Sequence, residues 1–209
     1  MTGIINFETF LLASLVLIIT PGADTIYILS RSIAQGKKAG VLSALGVSVG
    51  LLVHTLFASL GLSAILTQSA QAFMIVKLLG AAYLIYLGIK TLRSRKGGFM
   101  MEHDTPLERS NRVFISGVLT NVLNPKVALF FLAFLPQFIN PGHSDHFASL
   151  FSLGIAFTIL GTIYCLFLAY YSAVFSHKIK SKPAIKKWMD RLSGLVFIGL
   201  GVQLALSKK

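Results

Sequence analysis

The chain has 209 residues, of which 55% are hydrophobic and only 12% charged, about half the charged share of an ordinary soluble domain. A soluble fold of this size cannot cover its surface with so few charges, and the mean hydropathy of +0.76 excludes that class. The formal net charge of +12 raises nucleic acid as a partner, a question that depends on where the charges lie. One cysteine, Cys165, excludes an intrachain disulfide framework and a cysteine-based metal cluster.

A spanning helix needs roughly 20 mostly apolar residues to cross a hydrocarbon core about 30 Å thick. Six stretches read this way: residues 4–30, 39–66, 73–89, 113–139, 147–175 and 192–206. Their apolar runs lack the period-two alternation of barrel strands, so an all-α polytopic membrane protein is predicted. The first stretch is interrupted at Thr20-Pro-Gly-Ala-Asp24 and the fourth at Asn124-Pro-Lys126. The first is expected to be a mature helix, not a signal peptide. No Lys or Arg precedes Arg31, Glu8 sits inside the run, and no A-x-A pattern follows.

Basic residues alternate between connections. Three lie in 31–38, six in 90–112 and six in 175–191, while 67–72 and 140–146 have none. By the positive-inside rule the odd loops are cytoplasmic and both termini external, with Lys208 and Lys209 as a weak dissent. Charges on one membrane face do not form a nucleic-acid groove, so no nucleic-acid partner is expected.

Three helices per half imply two inverted repeats, about residues 1–92 and 113–209, joined by a cytoplasmic linker at about 93–112. The whole chain then forms a single transmembrane domain. Leu79, Ile85, Leu87 and Gly88 of the third stretch recur at the same spacing as Leu192, Ile198, Leu200 and Gly201 of the sixth. Helices one and four are broken at corresponding places, Pro21 and Pro125. Paired interruptions of this kind point to a transporter's binding site.

Each proline removes a donor and clashes with the preceding turn, and the groups it frees must find partners in protein, water or ligand. Gly22 allows close backbone approach, and the half-helix beginning near Asp24 offers N–H groups suited to a carboxylate. Asp24 and Lys126 lie beside the breaks inside apolar segments, where a lone charge costs at least about 2.5–3.5 kcal/mol. They match a substrate ammonium and carboxylate, or they pair with each other; both readings stand at this point. Glu8 and Lys77 lie closer to helix ends and are expected to snorkel. Asn121 and Asn124, three apart, complete a polar lining with Thr25. His54, central in the second stretch, is either a proton relay with Asp24 or a hydrogen-bonded neutral ring. Gln137 reads as a boundary residue. Gly46-x-x-x-Gly50 signals close helix packing and permits a homodimer without requiring one. No metal site, cofactor or catalytic motif is evident, so an enzyme is not expected.

Thr20-Pro-Gly-Ala-Asp-Thr25, the Gly46/Gly50 helix with His54, Leu79-Gly-Ala-Ala-Tyr-Leu-Ile-Tyr-Leu-Gly88 and, most specifically, the run Asn121-Val-Leu-Asn-Pro-Lys126 continuing to Leu135-Pro-Gln-Phe138 resemble the lysine-exporter (LysE/RhtB) family. The resemblance covers nearly the whole chain. It implies a six-helix bacterial inner-membrane protein that exports amino acids on a proton or membrane-potential gradient. The chain departs from the family at Ala23, where a second proline is usual, which weakens any transfer of substrate identity. The sequence therefore predicts a secondary exporter of amino acids or similar zwitterions. The alternative is a passive, channel-like permease. The expected substrate-binding residues are Pro21, Gly22, Asp24, Thr25, Asn121, Asn124, Pro125 and Lys126.

Overall fold

Proline chemistry divides the first apolar segment. In a computed structural model of the chain, α1 (Phe7–Ile19) buries Phe10, Ser14, Leu17 and Ile18 along one stripe. It stops at Thr20, whose extended backbone is the conformation a following proline demands. The helix resumes as α2 (Ala23–Gln35), bent by 48° from α1. Gly36, at φ 82°, ends α2 in a conformation that favours glycine. The structure describes residues 3–68, 70–93, 107–140, 142–172 and 183–206.

The remaining helices are α3 (Lys37–Gln68), α4 (Ala70–Arg93), α5 (Ser110–Val122), α6 (Pro125–Leu129), α7 (His146–Tyr170) and α8 (Pro183–Leu206). Asn124 caps α6, its Oδ1 accepting from the Lys126 N–H at 3.0 Å, with Pro125 in the first position, where its missing donor costs nothing. Beyond α6 the chain widens into a π-helical turn at Phe130–Phe134 and tightens into a 3-10 turn at Leu135–Phe138. The apolar run 113–139 predicts ordinary helix here, and the π and 3-10 turns depart from it. The N-terminal segment clamps onto its end: Ile5 N–H donates to the Phe138 carbonyl at 2.8 Å, and Asn140 N–H to that of Gly3 at 2.7 Å.

By length and apolarity, α3 and α7 can each cross a membrane, and so can the bent pairs α1–α2 and α5 with the segment Pro125–Phe138. Together these give two to four candidate spans among the described residues. Helices occupy the places of the third and sixth predicted spans, but of α8 only Gly194–Leu206 is apolar. Part of the stretch read as the fifth loop is helical, since α8 begins at Pro183. The predicted linker lies mostly outside the described residues, as do residues 173–182 and 207–209. Large apolar side chains cover the outside, with Leu12, Phe57, Leu79 and Ile163 all more than 60% exposed. That is the surface of a multi-pass membrane protein rather than of a soluble one.

Small residues let the helices approach. A Cβ on Gly46 would collide with the Phe114 carbonyl, and one on Gly50 would meet Asn121 Cβ at 2.6 Å. The G-x-x-x-G face is thus filled by α5 and is not open to a second copy. Between α3 and α7, Thr55 seats against Gly154, and Thr162 Oγ1 donates to Ser48 Oγ at 2.8 Å. Between α4 and α8 the contacts are reciprocal. Gly88 faces the Gly194 carbonyl and Ile198, while Gly201 faces the Ala81 carbonyl and Ile85. The core is aromatic: Phe130 stacks within 4.7 Å of Phe157 and 5.1 Å of Phe134, and Phe10 packs edge-on to Phe138.

Two charge placements differ from expectation. Lys77 does not snorkel from a helix end; it is the eighth residue of α4 and only 2% exposed. Arg31 is not a loop residue. It lies inside α2, buried, with its guanidinium 2.7 Å from Glu108 Oε1. Glu8 is exposed in the first turn of α1, as expected.

Candidate functional site

The two breaks face each other, and each is repaired from the opposite half of the chain. Within α1, the Leu17 carbonyl would ordinarily accept from the N–H four residues on, but that residue is Pro21. Lys126 Nζ takes the vacant place, donating to Leu17 O at 3.2 Å and to Thr20 O at 2.8 Å. Within α5, the residue four beyond Asn121 is Pro125. There the orphaned Asn121 carbonyl accepts from His54 Nε2 at 3.0 Å, and also from the Asn124 N–H at 2.9 Å. A carbonyl can only accept, so His54 carries its proton on Nε2. Its ring stacks on Phe131 with centroids 5.8 Å apart.

Asp24, in the first turn of α2, faces the second break. Its Oδ2 accepts from Asn121 Nδ2 at 3.0 Å and Asn124 Nδ2 at 2.9 Å. Its Oδ1 is buried without a hydrogen-bond partner, and so is Asn121 Oδ1. Among the described residues no ion pair joins Asp24 to Lys126. Mutual pairing is therefore not the arrangement seen: the carboxylate takes amide donors while the ammonium takes backbone carbonyls.

Gly22 serves this arrangement. A Cβ there would meet Lys126 Nζ at 3.1 Å and Cε at 3.3 Å, so the glycine makes room for the end of the lysine side chain. Pro21 and Pro125 act through the donors they lack. Thr25 is buried and, with Asp24 and Lys126, lines a cavity of about 30 Å3, walled by Leu17, Leu51, Val127, Phe157 and Tyr164. That volume holds a water or two, not an amino acid. Cys165 borders the same cavity. The Tyr164 hydroxyl reaches the Ile19 carbonyl at 3.4 Å, taking up another acceptor at the end of α1. Sequence reasoning missed Tyr164 and Cys165, since nothing in an apolar helix marks them. Gln137 lies in the 3-10 turn, away from the cavity lining. No group of His, Cys, Asp or Glu among the described residues could hold a metal ion.

Comparison with known proteins decides the lineage. The family model described as LysE type translocator matches residues 15–208. The chain belongs to the LysE type translocator family. It is 33% identical over 200 residues to an uncharacterized membrane protein, YrhP, of Bacillus subtilis (strain 168), covering 91% of this chain and 94% of that one. Leucine efflux proteins are similar at the same level. That of Salmonella choleraesuis (strain SC-B67) is 32% identical over 206 residues, covering 97% of this chain and 96% of that protein. That of Enterobacter sp. (strain 638) is 30% identical over 203 residues, with the same coverage. No solved structure matches the chain. Family membership together with the apolar exterior makes this a multi-pass membrane transporter.

Proposed function

We propose that this LysE family member is a secondary exporter of amino acids, with its substrate site at the crossing of the two broken helices. One observation carries the reading: a buried carboxylate, Asp24, is held through one oxygen by two asparagines while its other oxygen is left without a partner at a cavity. A buried charge kept half-satisfied is costly, and a substrate ammonium would complete it. When the helices part to admit substrate, Lys126 leaves the carbonyls of α1 and meets the substrate carboxylate. The relatives named as leucine efflux proteins support an amino-acid cargo, and the apolar cavity wall suits an uncharged side chain.

The cavity is too small for an amino acid, so binding requires the helices to part, and under this proposal access alternates between the two faces. Proton entry is assigned to Asp24: taking a proton there releases the ammonium and neutralises the site for return. His54 touches the same cluster through the Asn121 carbonyl and positions it. The reciprocal Gly88–Ile198 and Gly201–Ile85 contacts support two inverted three-helix repeats. In this arrangement all six predicted spans cross the bacterial inner membrane, odd loops lie in the cytoplasm and both termini lie outside.

The test is uptake of leucine and other amino acids into proteoliposomes, with and without an imposed pH gradient. Wild-type protein accumulates substrate uphill only with the gradient, and Asp24→Asn abolishes accumulation while inserting normally. Normal transport by the Asn variant overturns the site. Downhill flux indifferent to the gradient would instead establish the passive permease.

A further inference from the structure

We infer that the polar seam between α2 and the start of α5 is the gate through which the cavity opens toward the cytoplasm, an inference that takes its sidedness from the topology proposed above. From Asp24 the seam runs along one face of α2 through Tyr27, Arg31 and Gln35, at steps of three or four residues. Tyr27 donates its hydroxyl proton to the Val113 carbonyl at 2.6 Å. One turn on, Arg31 pairs with Glu108 at 2.7 Å, its guanidinium 5.6 Å from the Tyr27 ring centroid. One turn further, Gln35 Nε2 donates to the Glu108 carbonyl at 3.0 Å, and Gln35 Oε1 lies 3.4 Å from Arg31 Nη1. These contacts cover about 16 Å of helix between the cavity and the loop end of α2.

The chemistry of this seam differs from that of the α4–α8 interface, which is closed by glycines against backbone and aliphatic side chains. Parting α4 from α8 would bare close-packed apolar surface. The α2–α5 seam is held by a phenol, a guanidinium, a carboxylate and an amide, each of which water solvates well. An ion pair with side chains 8% and 26% exposed lies at the border of solvent, so water can replace its bonds as the helices separate. The loop end of the seam lies on the side where basic residues accumulate: Arg31 stands beside Lys37 and Lys38 of the first basic connection, and Glu108 lies within the second.

The protein carries its own reporter. Cys165 is the only cysteine of the chain, it is buried, and it borders the cavity beside Asp24 and Lys126. A membrane-impermeant maleimide, applied to intact spheroplasts or to inverted membrane vesicles without substrate, reads from which face the cavity is reached. Wild-type Cys165 is expected to react slowly from both faces. Glu108→Gln and Arg31→Gln are each expected to speed labelling about tenfold in inverted vesicles only, the change in population worth about 1.4 kcal/mol. The charge-swapped double variant Arg31→Glu/Glu108→Arg is expected to restore slow labelling. Unchanged rates, acceleration from the outer face, or a swapped variant as open as the single ones would each overturn the gate. Labelling needs no transport, so this failure is separate from failure of the export reading, which the Asp24→Asn assay decides.

Discussion

Lys126 stands in for the N–H that Pro21 lacks, and that role can be tested without reference to transport. In Lys126→Met the Leu17 and Thr20 carbonyls lose their donor. Each buried acceptor left unsatisfied costs about 1–3 kcal/mol, so the two bonds together are worth about 2–6 kcal/mol. Removing the ammonium also removes its own burial cost of several kcal/mol, and the small cavity lets a water reach the bared carbonyls. The single substitution therefore mixes opposing terms, and its net size decides little. The decisive quantity is the coupling with Pro21→Ala. Alanine restores the N–H that Leu17 O would ordinarily accept, making one of the two Lys126 bonds redundant. The loss caused by Lys126→Met should then shrink by about 1 kcal/mol in the Pro21→Ala background, well outside the additivity error of about 0.3–0.5 kcal/mol for independent sites. Equilibrium unfolding of the four proteins in mixed micelles, followed by far-ultraviolet circular dichroism, closes the cycle. Additive losses, or a larger loss in the alanine background, would refute the substitution of lysine for the missing donor.

Further substitutions probe the packing and the second break. Gly88→Ala and Gly201→Ala each place a methyl against a carbonyl of the partner helix, 2.6 and 2.8 Å away; both should destabilise by a similar 1–3 kcal/mol or so, and a large inequality in the same unfolding assay would speak against reciprocal packing. Gly46→Ala forces a methyl into the Phe114 carbonyl and should cost about as much. Gly61→Ala in the same helix meets nothing within 4 Å and should be neutral or stabilise by about 0.5–1 kcal/mol. At the second break, His54→Leu leaves Asn121 O with backbone N–H donors alone and should cost about 0.5–1.5 kcal/mol. His54→Gln keeps a donor and should recover most of that, which protease resistance in micelles would report.

The positions of the breaks were legible because proline is a local instruction. Pro21 and Pro125 end a helix whatever surrounds them, and simple counting identifies Leu17 O and Asn121 O as the acceptors they orphan. The partners of those acceptors were not legible, since Lys126 meets Leu17 across 109 residues and His54 meets Asn121 across 67. Asp24 and Lys126 stood out as charges in apolar sequence, their opposite signs fitting a mutual pair and a zwitterionic substrate equally, and the fold gives each charge neutral dipoles. Arg31 was misplaced because composition alone assigns a basic residue at a helix end to the loop, and nothing local marks Glu108 as its partner. Lys77 was misplaced for a related reason: snorkelling presumes a nearby interface, and the helix continues a further two turns toward its N-terminus. The π-helical turn after α6 had no local signature at all, because it arises where a run of phenylalanines packs against α7 and α3.

Mutual repair of the two breaks bears directly on how such a protein can move. A single proline-broken helix in a membrane has to satisfy its orphaned carbonyl within its own neighbourhood, with a donor that moves as it does. Here the donors are exchanged: the C-terminal half supplies Lys126 to α1, and the N-terminal half supplies His54 to α5. Relative motion of the halves therefore breaks both sets of bonds at once and is opposed by both. Under the export reading that opposition is useful. A zwitterion entering between the breaks brings an ammonium and a carboxylate, the two groups that can compensate Asp24 and Lys126 when their present partners are withdrawn. An empty carrier then keeps its caps and stays closed, whereas a loaded one exchanges caps for ligand and can cross. The coupling expected between Lys126 and Pro21 should accordingly fall when a saturating transported amino acid is present. Persistence of the full coupling in the loaded protein would mean that the lysine remains on α1 throughout the cycle and never meets the substrate.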